Sequence, residues 1–302
     1  MNNKVLIITT TYNSQYNIFD LIDSCAKQSY KNFELIIADD GSTDFTNHVI
    51  EEYKERFEWI THLKLEHGER GIARYSAIQA ALKKEFNFLF IIDSDMILQD
   101  NLLKDSIDTL QASKNTGALV IKEIPVSRHD NVMTRIKLFE RKVINNAKKV
   151  DKHSIEAARF WRIDEYLKTG GINPGQISFE ETQPTIRYIE SGGTIKRLTS
   201  SGLIHDEKKV TLRNLLAKKK YHFKMMPKTL SSEEKGFMKA LTRWYLFRPV
   251  MYQPNNLWLY IKHPLMTLGM LSMYFLLTLI GVSQIVNAYL ATGFRQAQSK
   301  SS

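Results

Sequence analysis

The sequence predicts an α/β protein with a mainly parallel sheet and flanking helices, followed by a C-terminal helical segment that associates with a membrane. Strand-like and helix-like runs alternate over the first 120 residues, and this alternation is typical of βαβ units. No charged residue occurs from Leu265 to Phe294, and such a run is long enough for a membrane-inserted helix.

Short apolar runs bounded by polar residues predict the strands. These strands are Val5–Thr9, Phe33–Ala38, Ile60–Leu65, Phe88–Ile92 and Ala118–Ile121. Apolar residues recur at helical spacing in Phe45–Phe57 and in Gly71–Lys84, which predicts amphipathic helices there. Residues 125–165 are polar, basic and predicted to be helical, and a glycine-rich loop follows. A second α/β stretch ends near a strand at Thr194–Leu198.

The chain has 302 residues, of which 43% are apolar and 25% charged, as expected of one large globular domain with appendages. Its one cysteine, Cys25, excludes an internal disulfide and fits a reducing compartment. Cys25 lies in a predicted helix, where we expect a buried thiol rather than a nucleophile. The apolar residues after Lys4 predict a strand and not a secretory signal.

The net charge of +10 suits nucleic acid, anionic lipid or phosphorylated small molecules as partners. Eight basic residues and no acidic ones occur from Lys208 to Lys228. Because this block precedes the long apolar run, its position favours an anionic membrane surface over nucleic acid. The alternative is a basic helix face in contact with water.

The apolar run predicts a membrane helix with its densest part at Leu265–Val282. Aromatic and basic residues typical of the headgroup level precede it, among them Trp258 and Lys262. A helix lying in the interface and a buried core helix are the alternatives. Because only Arg295 and Lys300 lie beyond the run, the positive-inside rule places the catalytic part at the cytoplasmic face of the cell membrane.

The predicted organisation therefore has four parts. Residues 1–207 form the catalytic domain, residues 208–262 form basic amphipathic or interfacial helices, residues 263–294 form the membrane-inserted segment, and residues 295–302 form a tail.

Three polar motifs follow predicted strands. Thr11-Tyr12-Asn13 follows the first strand, Asp39–Asp44 follows the second, and Asp93-Ser94-Asp95 follows the fourth. Ligands bind outside the carboxyl ends of parallel strands, so we expect the three motifs to converge. The paired carboxylates Asp93 and Asp95 suit Mg²⁺ or Mn²⁺ held together with substrate phosphates. Such an Asp-x-Asp pair by itself can also be a loop cap.

The second motif combines binding and capping residues. Asp39 and Asp40 can accept hydrogen bonds from a nucleotide base or from ribose hydroxyls. Adjacent carboxylates at a strand end repel each other, so we expect Asp39 to have a ligand. Gly41 permits a tight turn or a close backbone approach, and Asp44 is interpreted as a cap of the next helix.

The ordered motifs, together with Gly68–Arg74, resemble those of family 2 inverting glycosyltransferases of the GT-A fold over residues 4–205. Thr10 stands where this family often has proline, and Tyr75 stands where it often has asparagine. The later sequence around Ala157–Arg162 and His263–Leu265 is similar to a membrane-associated bacterial and archaeal branch.

The resemblance implies a nucleotide-diphosphate sugar as the donor, with UDP and GDP both open, and Mn²⁺ or Mg²⁺ as the cofactor. Arg70 and Arg74 would reach the diphosphate, with a surface salt bridge as the alternative for each. The implied donor-binding residues are Thr11, Tyr12, Asn13, Asp39, Asp40, Arg70, Arg74, Asp93 and Ser94. The implied metal ligands are Asp93, Asp95 and His205.

The resemblance also implies a general base within an acidic pair after the glycine-rich loop, here Glu180-Glu181. The family usually has Glu-Asp with the second member as the base, which favours Glu181 and leaves Glu180 open. A helix N-terminus stabilised by two acids is the structural alternative. Arg159 is a candidate for an acceptor phosphate, and Trp161 is a further acceptor-binding candidate.

The expected function is metal-dependent transfer of a sugar to a lipid-linked glycan or another membrane-associated hydroxyl acceptor in cell-envelope glycan assembly. One alternative is a polyprenyl-phosphate sugar synthase, and a second is a catalytically silent sugar-nucleotide-binding membrane protein. A Rossmann dehydrogenase is disfavoured because no G-x-G-x-x-G motif follows the first strand.

Overall fold

The computed structural model describes residues 3–68, 70–82, 85–148, 150, 156–174, 181–220 and 245–298. The chain divides into two compact units. Unit 1 comprises Met1–Val126 and Lys148–Asp206, and unit 2 comprises Ser127–Ala147 and Glu207–Ser302. One boundary between the units lies between Asp206 and Glu207, and Ser127–Ala147 groups with the C-terminal residues. The four-part organisation stays a prediction.

Unit 1 is built on one eight-stranded sheet with the order β3-β2-β1-β4-β7-β6-β8-β5. Strands β1 to β4 form a parallel block. The short strand β7 is antiparallel to both β4 and β6, and β5 is antiparallel to β8. The strands are β1 Val5–Thr11, β2 Phe33–Asp39, β3 Ile60–Lys64, β4 Phe88–Asp93, β5 Met96–Leu98, β6 Thr116–Val126, β7 Phe160–Arg162 and β8 Thr194–Asp206.

Helices connect the strands of unit 1. They are α1 Ile18–Ala26, α2 Thr46–Arg56, α3 Arg70–Ala81, α4 Leu102–Gln111, α6 Ile163–Lys168 and α7 Thr182–Glu190. The α/β class, the parallel arrangement and the amphipathic helices of the first 120 residues were predicted and are confirmed. The strands β5 and β7 were not predicted, because three residues are too few for a hydrophobic period to be recognised.

The core of unit 1 lies on both faces of its sheet. In β1, Val5 and Ile7 pack into one apolar cluster while Leu6 and Ile8 pack into the other. Because both faces of these parallel strands are buried, their sequences are nearly continuous apolar runs. Cys25 is fully buried in α1, and burial raises the pKa of its thiol, which confirms the expectation of a structural cysteine.

Unit 2 is helical. It contains α5 Val132–Asn145, α8 at residues 212–220, α9 Leu257–Lys262 and α10 Pro264–Gln298. Three 3-10 turns, at Tyr245–Phe247, Pro249–Tyr252 and Pro254–Asn256, precede α9. The predicted helix over residues 125–165 is shorter than expected, because the chain returns to unit 1 and forms β7. Part of the basic block, including Lys224 and Lys228, lies outside the described residues.

Helix α10 packs against α5. A Cβ atom on Gly269 would lie 2.7 Å from Cδ1 of Ile136, so glycine accommodates the Ile136 side chain in its present position. Within the described part of the chain, α10 is the one helix long and apolar enough to cross a membrane, over Pro264–Gln284, with a mean hydropathy of 2.0 and 28% of that stretch buried.

A buried carboxylate joins α5 to α10. Glu140 is 3% exposed, accepts a hydrogen bond from the hydroxyl of Tyr274 at 2.6 Å, and forms ion pairs with Lys137 and with Arg248, the latter at 3.6 Å. Burial alone would raise the pKa of Glu140, but the charges of Lys137 and Arg248 outweigh burial and hold it at about 2.

Replacement of this carboxylate is expected to destabilise unit 2. In Glu140→Gln the mostly buried cations Lys137 and Arg248 lose a charged partner, and we expect a loss of about 3–5 kcal/mol in the free energy of unfolding at pH 7. Because the folded-state pKa is depressed, the contribution is present above the ordinary value of 4.5 and is lost as the pH falls toward 2. Thermal unfolding of the wild type and the variant from pH 7 to pH 2.5 tests this difference.

The matched control is Asp130→Asn, because Asp130 pairs with Arg135 on the surface of the same unit. This variant should unfold like the wild type. A difference between Glu140→Gln and wild type that stays constant from pH 7 to pH 2.5 would contradict the assignment of the effect to the ionised carboxylate.

Candidate active site

The three polar motifs meet at the carboxyl edge of the parallel block, as the sequence predicted. In the sheet register, Thr11 at the end of β1 pairs with Asp39 at the end of β2. On its other side, β1 pairs Thr10 with Asp93 at the end of β4. Because β1 is the neighbour of both β2 and β4, the ends of these strands bring the three motifs together.

Asn13 connects the first motif to the second. It has a φ of +49°, in the left-handed region that asparagine tolerates better than most residues. Its backbone N–H donates to Oγ of Ser42 at 2.9 Å, and its side-chain oxygen accepts from the N–H of Thr43 at 2.8 Å. The polar groups of Asn13 thus fix the geometry of the two loops.

The carboxylates of Asp39 and Asp40 are buried and have partners in the protein. Asp39 accepts hydrogen bonds from the N–H of Ser42, at 3.0 Å, and from its hydroxyl. Asp40 accepts from the N–H of Gly68 at 2.9 Å. The Asp39 carboxylate therefore already has donors within unit 1, and its expected contact with a ligand stays a prediction.

A stacked pair of rings lies beside these loops. The rings of Tyr12 and His67 are parallel, with centroids 4.2 Å apart, and both side chains are about half exposed. His67 Nδ1 lies 3.0 Å from the carbonyl oxygen of Asp40. A Cβ on Gly41 would lie 2.7 Å from the backbone nitrogen of His67, so glycine permits this close packing. No sequence motif indicated a role for His67.

Arg74 lies beneath the site rather than on its surface. It projects from the second turn of α3, is fully buried, and donates from one guanidinium nitrogen to Asp93 and from another to Glu181. The alternative of a surface salt bridge is wrong for this residue. Arg74 joins the end of β4 to the start of α7, where Glu181 is the N-cap residue.

Arg159 occupies the other side of the same carboxylates. It precedes β7, whose antiparallel pairing with β4 sets it opposite Ile91. Its guanidinium lies 3.2 Å from Asp93, 3.2 Å from Glu123 and 3.5 Å from Glu181. Burial alone would lower the pKa of Arg159, but the charges of Asp93, Glu181 and Glu123 outweigh burial and raise it.

These residues form one buried ionic network, in which two arginines face three carboxylates. Each carboxylate oxygen of Glu181 contacts a different arginine: Oε1 contacts Arg74 and Oε2 contacts Arg159. Asp93 is shared in the same way. Glu123 was not singled out in the sequence, because β6 carries it well away from any recognised motif. The three carboxylates outnumber the two arginines, so the network has a formal net charge of −1.

Asp95 and His205 form a separate pair. Strand pairing aligns Met96 with His205, and Nε2 of His205 lies 3.5 Å from Oδ2 of Asp95. Burial alone would raise the pKa of Asp95, but its hydrogen bond and charge interaction with His205 hold it below its ordinary value. Both side chains retain access to solvent.

The chemistry of Asp95 and His205 fits a divalent cation, because a carboxylate and an imidazole can complete a site that substrate phosphates also ligate. The predicted three-ligand set is not assembled, however. Among the residues described, no group of three His, Cys, Asp or Glu side chains is placed to hold a metal. The physical reason is that Asp93 accepts from Arg74 and Arg159 instead.

The remaining predicted residues occupy different environments. Trp161 is 1% exposed, and its indole N–H donates to the carbonyl of Ala158 at 2.8 Å, so the ring is part of the core and not an acceptor contact. Thr11 is also buried, and the hydroxyl of Ser94 lies 3.4 Å from that of Ser14. Glu180 and the side chain of Arg70 lie outside the described residues.

Comparison with known proteins agrees with this arrangement. Residues 6–168, more than half of the chain, match the family described as "Glycosyl transferase family 2", and the chain belongs to this family. The Staphylococcus aureus protein "Poly(ribitol-phosphate) beta-N-acetylglucosaminyltransferase TarS" is 34% identical over 106 residues, which are 34% of this chain but only 18% of TarS. The chain thus matches less than a fifth of that relative's length.

Two further proteins are similar. The Campylobacter jejuni "GalNAc(5)-diNAcBac-PP-undecaprenol beta-1,3-glucosyltransferase" is 26% identical over 161 residues, covering 52% of this chain and 48% of that protein. The crystal structure of "Mannosyltransferase PcManGT from Pyrobaculum calidifontis in complex with GDP-Man and Mn2+" superimposes with a TM-score of 0.55 at 17% identity, covering 97% and 80% of the two chains. This likeness supports the GT-A fold.

Proposed function

We propose that the protein is a metal-dependent inverting glycosyltransferase. It would transfer a sugar from a nucleotide-diphosphate donor to a hydroxyl of a membrane-associated, lipid-linked glycan during cell-envelope glycan assembly. The observation that carries this proposal is the convergence of Asp93, Glu181, Arg74 and Arg159 at the carboxyl edge of the sheet. Here a candidate base lies in one network with Arg74, a candidate for the donor diphosphate, and Arg159, a candidate for an acceptor phosphate.

The donor would bind across the strand ends. The exposed ring pair of Tyr12 and His67 offers a stacking surface for the nucleotide base, and polar groups of the Asn13 and Asp40 loops lie beside it. UDP and GDP both remain candidates, since one TarS structure is in complex with UDP-GlcNAc and the P. calidifontis enzyme is in complex with GDP-Man.

Glu181 would be the general base. The acceptor hydroxyl oxygen forms the new bond to the anomeric carbon, the bond from that carbon to the diphosphate oxygen breaks, and the hydroxyl proton passes to Glu181. In the free protein both oxygens of Glu181 contact arginines. A bound diphosphate gives Arg74 and Arg159 a competing anion, which would release a Glu181 oxygen for the proton. Glu180 remains the alternative base.

Asp95 and His205 are the residues that would hold Mn²⁺ or Mg²⁺, with Asp93 as a further candidate ligand. A bound cation offsets the charge that develops on the departing diphosphate. The P. calidifontis structure contains Mn²⁺, which supports this cofactor class.

The membrane assignment rests on unit 2. Its helix α10 is apolar over Pro264–Gln284, and the Campylobacter relative is named for an undecaprenol-linked substrate. We propose a location at the cytoplasmic face of the cell membrane, with unit 2 in contact with an anionic lipid surface.

The metal assignment is tested by Asp95→Ala. We expect the variant to lose Mn²⁺-stimulated hydrolysis of the donor, and to lose the additional thermal stabilisation that UDP or GDP gives in the presence of Mn²⁺, because a carboxylate ligand is missing. Asp108→Ala, on the exposed face of α4, is the control and should behave as wild type. Full Mn²⁺ stimulation in Asp95→Ala would exclude Asp95 as a ligand.

Two alternatives give different results. A polyprenyl-phosphate sugar synthase, in which a phosphate oxygen attacks, needs no strong base, so its rate would depend little on Glu181. A catalytically silent sugar-nucleotide-binding protein would bind the nucleotide but hydrolyse no donor, and donor hydrolysis by the purified wild type would exclude it.

A further inference from the structure

Unit 2 contains an apolar groove of about 410 Å³. Its walls come from the 3-10 turns, from α9 and from the first half of α10. They include Tyr245, Met251, Tyr252, Tyr260, Leu271 and Tyr274. The volume is within the range of about 300–1,000 Å³ that small-molecule sites occupy.

Three tyrosines of the groove direct their hydroxyls to the protein. Tyr252 donates to the carbonyl of Leu246, Tyr260 donates to the carbonyl of Met251 at 2.6 Å, and Tyr274 donates to Glu140 at 2.6 Å. Because these hydroxyls already have partners, the groove is lined mainly by ring faces and aliphatic side chains, with Gln253 and Thr267 as polar members. Such a surface suits a hydrocarbon ligand more than a sugar or a nucleotide.

The groove is continuous with an exposed apolar face of α10. Leu271, at the groove wall, belongs to the same helix face as Leu268, Phe275, Leu279 and Val282, and all five are exposed. The opposite side of this part of α10 packs on the charged helix α5. The groove therefore lies where an apolar surface adjoins a charged one, as at a boundary between bilayer and water.

Positive charge lies behind one wall of the groove. The guanidinium of Arg248 is 4.6 Å from the ring centroid of Tyr245 and 5.8 Å from that of Tyr274. Lys219 Nζ is 5.8 Å from the Tyr245 ring. With Lys137, these cations lie around the carboxylate of Glu140.

The charges of Lys137 and Arg248 also affect the pKa of Lys219. Burial, together with the charges of Lys137 and Arg248, lowers the pKa of Lys219 to about 7, while Glu140 opposes the shift. A second anion at this position would relieve the repulsion between the cations.

We propose that this groove binds the hydrocarbon chain of a lipid phosphate, with the phosphate directed toward Arg248 and Lys219. The chain enters from the bilayer along the Leu271 edge, because that edge is continuous with the exposed face of α10. The proposal rests on the proposed function in one respect, namely that the natural ligand would be the lipid carrier of the acceptor glycan.

Binding of a fluorescent anthranilate-labelled farnesyl phosphate to the full chain in nonionic detergent tests the groove. We expect saturable binding by the wild type. Leu271→Asp introduces a charge into an apolar wall, so we expect at least about tenfold weaker binding. Leu271→Trp, which fills the groove without adding a charge, should weaken binding as well. The tryptophan variant still tests binding in the groove if the aspartate variant does not fold.

Leu268→Asp is the matched control, because it places the same charge on the same exposed helix face but outside the groove wall. We expect it to bind the probe as wild type does. Equal weakening by Leu268→Asp and Leu271→Asp would show adsorption to the whole face and would overturn the groove. Unchanged binding by both Leu271 variants would overturn it too.

A farnesol probe, which has the hydrocarbon chain but no phosphate, measures the contribution of the phosphate to binding. We expect farnesol to bind more weakly, and equal affinity would overturn the assignment of the phosphate to Arg248 and Lys219. Donor hydrolysis by the wild type tests the proposed function separately. If the wild type hydrolyses the donor but does not bind the probe, only the proposal of lipid binding in the groove is contradicted. If it binds the probe but hydrolyses no donor, only the proposed function is contradicted.

Discussion

Glu181→Gln is expected to reduce sugar transfer to a hydroxyl acceptor by about 10²- to 10⁴-fold, the usual contribution of a general base. The amide keeps the shape of the side chain but cannot take the acceptor's proton. Binding of UDP or GDP should persist, because Tyr12, His67 and the Asn13 loop do not depend on this carboxylate. Single-turnover transfer rates and nucleotide titrations measure the two effects separately.

Glu190→Gln is the control, since Glu190 lies at the exposed opposite end of the same helix, α7. It should transfer at the wild-type rate. Glu180→Gln measures the alternative base in the same assay. If Glu181→Gln retained a rate within a few-fold of wild type while Glu180→Gln lost it, the role of base would belong to Glu180. If both variants remained active, a phosphate acceptor, which needs no base, would be favoured.

Arg74→Met is expected to destabilise unit 1 by about 3–5 kcal/mol, because it leaves Asp93 and Glu181 partly buried with one fewer cation. Transfer should fall too, since Arg74 is a candidate ligand of the diphosphate. Urea unfolding followed by tryptophan fluorescence measures the change in the free energy of unfolding. Trp161 is a fluorescent reporter buried within unit 1.

The control for Arg74→Met is Arg56→Met, because Arg56 pairs with Glu52 on the exposed face of α2. Its stability should change by less than about 0.5 kcal/mol. Adding Glu181→Gln to Arg74→Met should recover part of the lost stability, because the double variant has one fewer uncompensated carboxylate. Strictly additive effects of the two substitutions would contradict a direct interaction between these side chains.

The convergence of the polar motifs was predictable for a local reason. Each motif immediately follows a strand, and parallel strands end at a common edge of the sheet. No knowledge of distant packing was therefore needed to bring Tyr12, Asp39 and Asp93 together. The membership of the glycosyltransferase family followed from the same ordered motifs and is confirmed.

The partners within the site were not predictable in the same way. Arg159 and Glu123 meet because β7 is inserted antiparallel between β4 and β6, and a three-residue strand leaves almost no periodic signal. His67 joins Tyr12 because a loop folds over Gly41. In each case the contact depends on the path of the backbone between elements.

The sequence by itself determined the α/β class, the parallel strands, the edge where chemistry would occur and the family, because hydrophobic periodicity and strand-end motifs are local properties. Only the tertiary structure decided how the charges combine. It placed Asp93 between two arginines and set Asp95 beside His205. It also buried Trp161 in the core and grouped Ser127–Ala147 with the C-terminal helices. The physical reason is that ion pairing and burial depend on which side chains packing brings within a few ångströms, and residues far apart in the chain contribute to that outcome.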